Sequence, residues 1–257
     1  GIHEVFSFYY YFCRILINIE IQMETEETVK EGLVTASKAK SIWLAFVDIV
    51  LFAVLSMIFL FLFAIPFALV FPELKTEVGE TNIYFQMLNE VLMLVSGLIA
   101  ACMVLGFRKL PFSGLGLSLK GWGRSLLRGA LFVVFLYVVG FGLSLLLGAV
   151  EVVGFLFSPI SLLVSLLLYF FVAVTEEVIG RGFILGRMLD GGINKFVALF
   201  ISAVLFSLMH LFNPNFAFVP FLNIMLAGCF LGASYIYTRN LCFPIALHWF
   251  WNWIQGS

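Results

Sequence analysis

Three charged side chains, Glu176, Glu177 and Arg181, lie within six residues of an otherwise apolar segment. An ionised side chain at the centre of a bilayer costs about 2.5–3.5 kcal/mol on insertion scales. Each neighbouring Val, Ile, Leu or Phe recovers only about 0.3–0.6 kcal/mol. The cluster therefore favours a polar cavity or a charged partner over contact with lipid. The alternative interpretation is a helix end at headgroup level, where water would solvate the same charges.

Helical spacing separates the two glutamates, because successive residues of an α-helix lie about 100° apart. Arg181 follows Glu177 by four residues, and glutamate before a cation at this spacing is the favoured order for an ion pair. The spacing predicts that Glu177 pairs with Arg181 and leaves Glu176 to point elsewhere. A carboxylate in a poorly hydrated cavity is a competent general base.

Two histidines, His210 and His248, fall in apolar segments. A single buried histidine is more often a packed core residue than a reactive group, but two histidines together with a glutamate pair favour a site. Phe206 precedes His210 by four residues and Asn252 follows His248 by four, so each pair lies on one helical face.

A helix hairpin would bring the first two groups together. The Asp-Gly-Gly sequence ending at Gly192 is a helix stop and turn signal. Folding two antiparallel helices about Gly192 places residue 176 level with residue 208, within one turn of His210. The sequence thus predicts that Glu176 and His210 meet across the hairpin.

The composition places these helices in a membrane. Of 257 residues, 63% are hydrophobic and 11% are charged, whereas a soluble domain is about half apolar and a quarter charged. Disordered chains are polar, so disorder is excluded as well. The net charge of −1 provides no basic surface for nucleic acid. The four cysteines form no CxxC pair, and no glycine-rich nucleotide motif occurs.

The charge-poor stretches predict an all-α, polytopic membrane bundle of seven transmembrane helices around a polar cavity. Residues 6–21 are apolar but contain Arg14, which leaves an eighth span, an interfacial helix or a leader as alternatives. The predicted spans are 42–71, 81–107, 129–150, 152–175, 241–257 and two within 196–238, which Asn-Pro-Asn at 213–215 divides.

Basic residues predict the orientation of the bundle. Twelve lie in segments that the seven spans place on one side, and only Lys75 lies on the other. By the positive-inside rule the basic side is cytoplasmic. Residues 112–128 mix leucine, glycine and basic residues and predict an interfacial amphipathic helix, with a plain loop as the alternative. We predict one membrane domain over 41–257, preceded by an N-terminal segment over 1–40.

Three short motifs occur in order, each at a predicted span: EExxxR at 176–181, FxxxH at 206–210 and HxxxN at 248–252. EExxxR alone is a weak signal, but the three together are fairly specific. They resemble the CAAX protease and bacteriocin-processing (CPBP/Abi) family of intramembrane endopeptidases, which includes the type II CAAX prenyl endopeptidases. The resemblance covers about residues 112–254, and the first 110 residues carry no motif of the family.

The resemblance implies an all-helical membrane core that encloses a catalytic cavity. It implies that Glu176 activates water together with His210. It also implies that His248 and Asn252 stabilise the oxyanion of the tetrahedral intermediate. Peptide hydrolysis needs a base for water and donors for the developing charge, so these roles agree with the residue types.

Glu177 and Arg181 would be supporting residues of the first motif. Metal use stays open, since Glu176, His210 and His248 could equally form a zinc site with an open position for water. Metal-free activation by glutamate is the preferred hypothesis. No HExxH metalloprotease helix is present.

The function that the resemblance implies is endopeptidase activity on a peptide or protein substrate at the bilayer, with the C-terminal tripeptide of a prenylated CaaX protein as one candidate. One alternative is a non-catalytic immunity or scaffold protein of the same fold. Another is a transporter or proton relay, because intramembrane Glu and His are typical of these too. No pair of Gly/Pro-broken helices in matching halves supports a transporter. The sequence predicts neither the oligomeric state nor the natural substrate.

The remaining unusual residues are predicted to be structural. Asp48 and Glu90 are isolated charges within predicted spans, and a cavity-lining position for one of them is the less favoured alternative. Trp249, Trp251 and Trp253 are predicted to be packing residues and interfacial anchors.

Overall fold

The computed structural model describes residues 2–71, 83–154 and 157–256, with side chains from residue 34 onward. All regular structure in these residues is helical, which confirms the predicted all-α class. A π-helical segment, Val178–Leu185, joins α4 to α5 without interruption. The helices are α1 (Ile2–Val70), α2 (Ile83–Phe107), α3 (Trp122–Leu146), α4 (Pro159–Glu177), α5 (Gly186–Asp190), α6 (Lys195–Leu208), α7 (Phe218–Thr238) and α8 (Cys242–Gly256).

Each of the seven predicted spans contains a helix, but only five helical stretches in the described residues are long and apolar enough to cross a membrane. The other two, α6 and α8, have 14 and 15 residues, fewer than the roughly 20 that a bilayer core requires. The five long stretches are Val34–Val70, Ile83–Phe107, Trp122–Leu146, Pro159–Asp190 and Phe218–Thr238.

The first helix is continuous from Ile2 to Val70, so the predicted boundary at residue 40 falls inside it. The structure does not describe the side chains of residues 6–21, so the eighth span, the interfacial helix and the leader all stay predictions for this segment. Lys75 also lies outside the described residues.

Residues 112–128 do not form the predicted interfacial helix. Phe112–Leu115 is a single 3₁₀ turn, and α3 begins only at Trp122. Gly116 and Gly121 have φ angles of 73° and 76°, which glycine adopts without strain and which end a right-handed helix. The loop alternative is therefore correct for the stretch between the turn and α3.

The π-helical segment and the helix ends beside it lie at the centre of the packing. The segment contacts α2, α4, α6 and α7, while α4 packs against α2 and α8. Phe183 is fully buried and stacks on Phe52 of α1 with ring centroids 4.0 Å apart. A Cβ at Gly182 would lie 2.9 Å from the carbonyl oxygen of Leu115, so this close approach requires glycine. The EExxxR motif is thus enclosed by several helices.

The outer faces of α1 and α3 carry exposed apolar side chains, including Val54, Phe61 and Val138. Such surfaces are unfavourable in water and suit contact with lipid. They agree with the length and hydropathy of the five long stretches.

A buried ionic cluster ties the first helices to α5. Asp48 is fully buried, and its two oxygens accept hydrogen bonds from Arg108 at 2.6 Å and from Arg187 at 2.9 Å. Asp190 pairs with Arg187 at 3.7 Å and with Arg239 at 3.1 Å. Asp48 is therefore a buried structural charge, as the first of the two interpretations predicts.

Candidate active site

The first motif lies where the regular α-helix changes its winding. Glu176 and Glu177 are the last two residues of α4, and the π-helical segment Val178–Leu185 begins directly after them. Short π-helical stretches inside α-helices are rare and frequently mark functional sites.

The predicted ion pair between Glu177 and Arg181 is confirmed. Arg181 Nη1 donates to Glu177 Oε1 at 2.9 Å, and the two side chains are 0% and 1% exposed. Arg181 Nη2 also donates to the carbonyl oxygen of Gly228 at 3.3 Å. Two buried charges are tolerated at this depth because they are paired and hydrogen-bonded.

Glu177 also fixes the orientation of the first imidazole. His248 Nδ1 lies 2.8 Å from Glu177 Oε1. The same oxygen accepts a hydrogen bond from Arg181, so it is an acceptor and Nδ1 of His248 is the donor. The other ring nitrogen, Nε2, then faces Glu176 Oε2 at 3.7 Å.

The second imidazole is oriented by the backbone. His210 lies in the turn after α6, which ends at Leu208, rather than inside a membrane-spanning helix. Its Nδ1 is 2.8 Å from the carbonyl oxygen of Phe206, and because a carbonyl only accepts, Nδ1 donates. Its Nε2 lies 3.6 Å from Glu176 Oε2. The predicted approach of Glu176 and His210 across the hairpin is confirmed.

Three acceptor positions consequently converge on one point: Glu176 Oε2 and the Nε2 atoms of His210 and His248. The separations of 3.6 and 3.7 Å are too long for direct hydrogen bonds. Glu176 Oε2 is buried and has no hydrogen-bond partner among the described residues. Facing lone pairs repel unless a donor lies between them, so the arrangement is complementary to a water molecule or a shared proton.

Phe206, the aromatic residue of the second motif, forms one wall of the site. Its ring makes edge contacts with His210 at 4.9 Å and with His248 at 6.0 Å between centroids. The guanidinium of Arg181 lies 4.0 Å from the ring centroid, a cation–π contact. Phe206 therefore packs against residues of all three motifs.

Asn252 follows His248 by one turn of α8 and is half-buried. It forms no hydrogen bond with Glu176, His210 or His248 in the described structure. The fourth predicted site residue thus lies on the same helix as His248 but is not part of the contact network around Glu176.

Two tryptophans of α8 attach this helix to α4. Trp249 Nε1 donates to the carbonyl oxygen of Leu166 at 2.8 Å, and Trp253 Nε1 donates to that of Leu162 at 3.1 Å. The predicted packing role is confirmed for both. Trp251 is 42% exposed.

Glu90 lies on α2, outside the three motifs, and its backbone adjoins the residue before Glu176. Its side-chain Oε2 is buried and has no hydrogen-bond partner among the described residues. The hydroxyl of Thr175 donates to the backbone carbonyl oxygen of Glu90 at 3.2 Å, which ties α2 to the residue before Glu176. The sequence signal for Glu90 was a single charge in an apolar span, and that signal alone did not distinguish it from Asp48.

The zinc alternative concerns the same converging groups. In the described part of the chain, no group of three or more His, Cys, Asp or Glu residues is arranged to hold a metal ion. The chemistry below uses the protein's own groups.

Comparison with known proteins agrees with the motifs. A family model described as type II CAAX prenyl endopeptidase Rce1-like matches residues 157–254, which contain all three motifs. None of the curated proteins and none of the solved structures compared with the chain matches it. The match suggests an intramembrane protease of the CAAX type, and the five long apolar helical stretches support a membrane location. This is an integral membrane protein whose residues 157–254 resemble the Rce1-like type II CAAX prenyl endopeptidases.

Proposed function

We propose that the protein is an intramembrane endopeptidase that hydrolyses a peptide bond with water activated by Glu176 and His210. The observation that supports this most strongly is the convergence of Glu176 Oε2 with the Nε2 atoms of His210 and His248 at 3.6 and 3.7 Å. A water molecule at this point donates its two hydrogens to Glu176 and His210, and this activation of water is the first requirement of peptide hydrolysis without a covalent intermediate.

In the first step, Glu176 accepts a proton from water while the water oxygen bonds to the carbonyl carbon of the substrate. His210 accepts the second hydrogen of the water in a hydrogen bond through Nε2, since its Nδ1 is held by the backbone. In the second step, Glu176 passes its proton to the departing amine as the C–N bond breaks. General acid–base assistance of this kind contributes about 10²–10⁴-fold to the rate.

The oxyanion that forms in the first step needs a hydrogen-bond donor. His248 supplies one when Nε2 is protonated, because its Nδ1 already donates to Glu177 at 2.8 Å. The Glu177 carboxylate then stabilises the imidazolium. Asn252, one turn further along α8, carries a side-chain amide that is the second donor. Donors fixed in this way act on the charge of the transition state.

The substrate class is a peptide or protein with a segment at the membrane. The type II CAAX prenyl endopeptidase match supports the more specific proposal that the substrate is a prenylated C-terminal CaaX sequence. Release of the terminal tripeptide would then follow from the chemistry above. The basic loops face the cytoplasm in this proposal, as the positive-inside rule predicts.

The test compares cleavage of fluorogenic farnesylated and unprenylated peptides by purified wild-type protein and Glu176→Ala, with and without a chelator. Glu151→Ala, which changes an exposed glutamate, is the matched control. We expect Glu176-dependent cleavage of the farnesylated peptide that the chelator leaves intact. Retained cleavage by Glu176→Ala would contradict the mechanism, and loss of activity with the chelator would favour a metal. No cleavage of either peptide by wild type would favour an unrelated substrate or the non-catalytic scaffold hypothesis.

A further inference from the structure

A cationic patch lies at the start of α3. It consists of three exposed side chains within nine residues: Lys120, Arg124 and Arg128. Residues 91–150 contain no Asp or Glu. The ion pairs among the described residues involve other arginines and two histidines, so the patch has no carboxylate partner in this part of the chain. Its charge therefore faces the surroundings of the protein.

The length of α3 places the patch at the surface of a bilayer. The helix has 25 residues, or about 37 Å, whereas a hydrocarbon core is about 30 Å thick. Residues 129–150 carry no charge, and exposed side chains such as Leu131 and Val138 suit contact with lipid chains. The excess length therefore falls at the end with the cations. Arg128 reaches the same level by extending its apolar stem along the helix.

The two arginines of the patch share one helical face. Arg124 and Arg128 are four residues apart, so they are neighbours on the helix surface and their like charges oppose each other. A phosphate between them removes this repulsion, because a guanidinium binds phosphate with two parallel hydrogen bonds. The positive-inside rule accounts for the side of the membrane but not for two unpaired arginines on one face.

The backbone of the patch is joined to the helix that carries His248. The Asn240 side chain accepts a hydrogen bond from the amide of Cys242, the first residue of α8, at 2.7 Å. It also donates to the carbonyl oxygen of Lys120 at 3.4 Å. One side-chain amide therefore connects the patch to the start of α8.

Helix α3 also packs directly along α8. Gly129 follows the last arginine of the patch, and a Cβ at this glycine would lie 2.6 Å from the Cβ of Ala246. Ala246 lies two residues before His248. A contact that holds the first turns of α3 in place consequently helps to hold the part of α8 that precedes His248.

We propose that the cationic patch binds the phosphate of an anionic phospholipid, and that the bound lipid stabilises the packing of α3 on α8. The site itself does not depend on the endopeptidase function; only its effect on cleavage does. A lipid fits because Leu127, between the two arginines, is 60% exposed and offers an apolar contact beside the charges. A cation near an anionic membrane surface strengthens binding roughly fivefold, so three cations strengthen it about 100-fold.

The first test measures the binding of phosphatidylglycerol and of phosphatidylcholine to the full chain in detergent by native mass spectrometry. The patch variant is Lys120→Gln/Arg124→Gln/Arg128→Gln. The matched control removes three other exposed cations of the predicted cytoplasmic side, in Lys38→Gln/Lys40→Gln/Lys195→Gln. We expect wild type and control to prefer phosphatidylglycerol by roughly tenfold or more, and the patch variant to lose this preference. Equal losses in the two triple variants, or no preference in wild type, would overturn the proposal.

Single variants and a soluble anion sharpen this test. If the patch variant does not accumulate, Arg124→Gln and Arg128→Gln replace it, and each should lower the preference roughly fivefold. A hexaglutamate peptide distinguishes a lipid site from a site for an acidic protein segment. We expect this peptide to displace little bound phosphatidylglycerol. Displacement at the same concentration as phosphatidylglycerol itself would show that a lipid is the wrong occupant.

The second test measures the effect of the lipid on α8. Phosphatidylglycerol should raise the melting temperature of wild type and of the control, but not that of the patch variant. In nanodiscs of phosphatidylcholine, added phosphatidylglycerol should raise kcat for the farnesylated peptide several-fold in the same two proteins. If neither quantity responds in wild type, the link to α8 is wrong. If wild type cleaves nothing but binds phosphatidylglycerol and melts at a higher temperature with it, the endopeptidase function fails while the lipid site stands.

Discussion

Two clusters of buried charge lie along the same run of helix from α4 to α5, and they differ in how their carboxylates are satisfied. Around Asp48, two guanidinium groups occupy both carboxylate oxygens at 2.6 and 2.9 Å. Around Glu176, the nearest polar groups are two imidazole nitrogens at 3.6 and 3.7 Å that face it with lone pairs. Both carboxylate oxygens of Asp48 therefore accept hydrogen bonds, whereas Glu176 Oε2 has no donor among the described residues.

This difference distinguishes charges that stabilise the fold from charges that could take part in a reaction, and it does so without reference to a family. A buried charge whose acceptors are all bound holds helices together, because removing either partner exposes an uncompensated charge. Acceptors that face each other are unfavourable unless something else enters. Glu177 Oε1 accepts from Arg181 at 2.9 Å and also orients His248 at 2.8 Å, so a buried ion pair supports the reactive cluster.

The largest effect is expected from Glu176→Gln, which removes the base and keeps the shape. Cleavage should fall by about 10²–10⁴-fold. The thermal stability of the purified protein should stay close to wild type, because the buried Glu176 Oε2 accepts no hydrogen bond that the substitution would break. Initial rates on the cleaved peptide and melting in detergent measure the two quantities. If Glu176→Gln lost stability along with activity, Glu176 would be a structural charge like Asp48. Glu151→Gln is the control.

The opposite result is expected for Asp48→Ala. It leaves Arg108 without a carboxylate and Arg187 with only its 3.7 Å pair to Asp190, and breaking a buried pair costs about 3–5 kcal/mol. The melting temperature should fall strongly, while kcat/KM of the protein that remains folded should change little. Thermal melting followed by size-exclusion chromatography measures this. If Asp48→Ala had normal stability, the presence of hydrogen-bond donors would not distinguish a structural carboxylate from a catalytic one.

The contacts of the second cluster that lie close in sequence were predictable. Spacing of four residues predicted the pair of Glu177 and Arg181, and a turn at Gly192 predicted the approach of Glu176 to His210. Both predictions need only the rise and the period of a helix.

What the sequence did not predict depends on long-range packing. The partners of Asp48 lie 60 and 139 residues away, and no periodicity links such distances. Glu90 and Asp48 looked alike as single charges, and only packing against α4 or α5 distinguishes them. Hydropathy also did not predict how short α6 and α8 are, because it detects apolar residues and not where a helix ends, as at Leu208 before the turn that holds His210.

A smaller effect is expected where a single hydrogen bond positions the reactive cluster. Trp249→Phe removes the donor to Leu166, a bond whose net contribution is about 0.5–1.5 kcal/mol. Because Trp249 adjoins His248, kcat should fall several-fold while KM changes less. Trp251→Phe loses a hydrogen bond to Gln255 of the same helix and keeps an aromatic ring beside Tyr137, so it is the matched control. If the two variants had equal kcat and KM, the hydrogen bond of Trp249 would not contribute to positioning His248.

The smallest effect is expected at the exposed edge of the Asp48 cluster. Arg239 and Asp190 pair at 3.1 Å, but their side chains are 47% and 40% exposed, and pairs in that environment contribute about 0–1 kcal/mol. Arg239→Gln should therefore lower the melting temperature by little, and high salt should remove even that difference because it screens the pair. Asp48→Ala should stay destabilised in the same salt. If both variants lost their effect in salt, pairing would matter and burial would not. We expect burial to decide, since water solvates Asp190 when its partner is removed, whereas the Arg187 side chain is only 12% exposed and gains little water when Asp48 is removed.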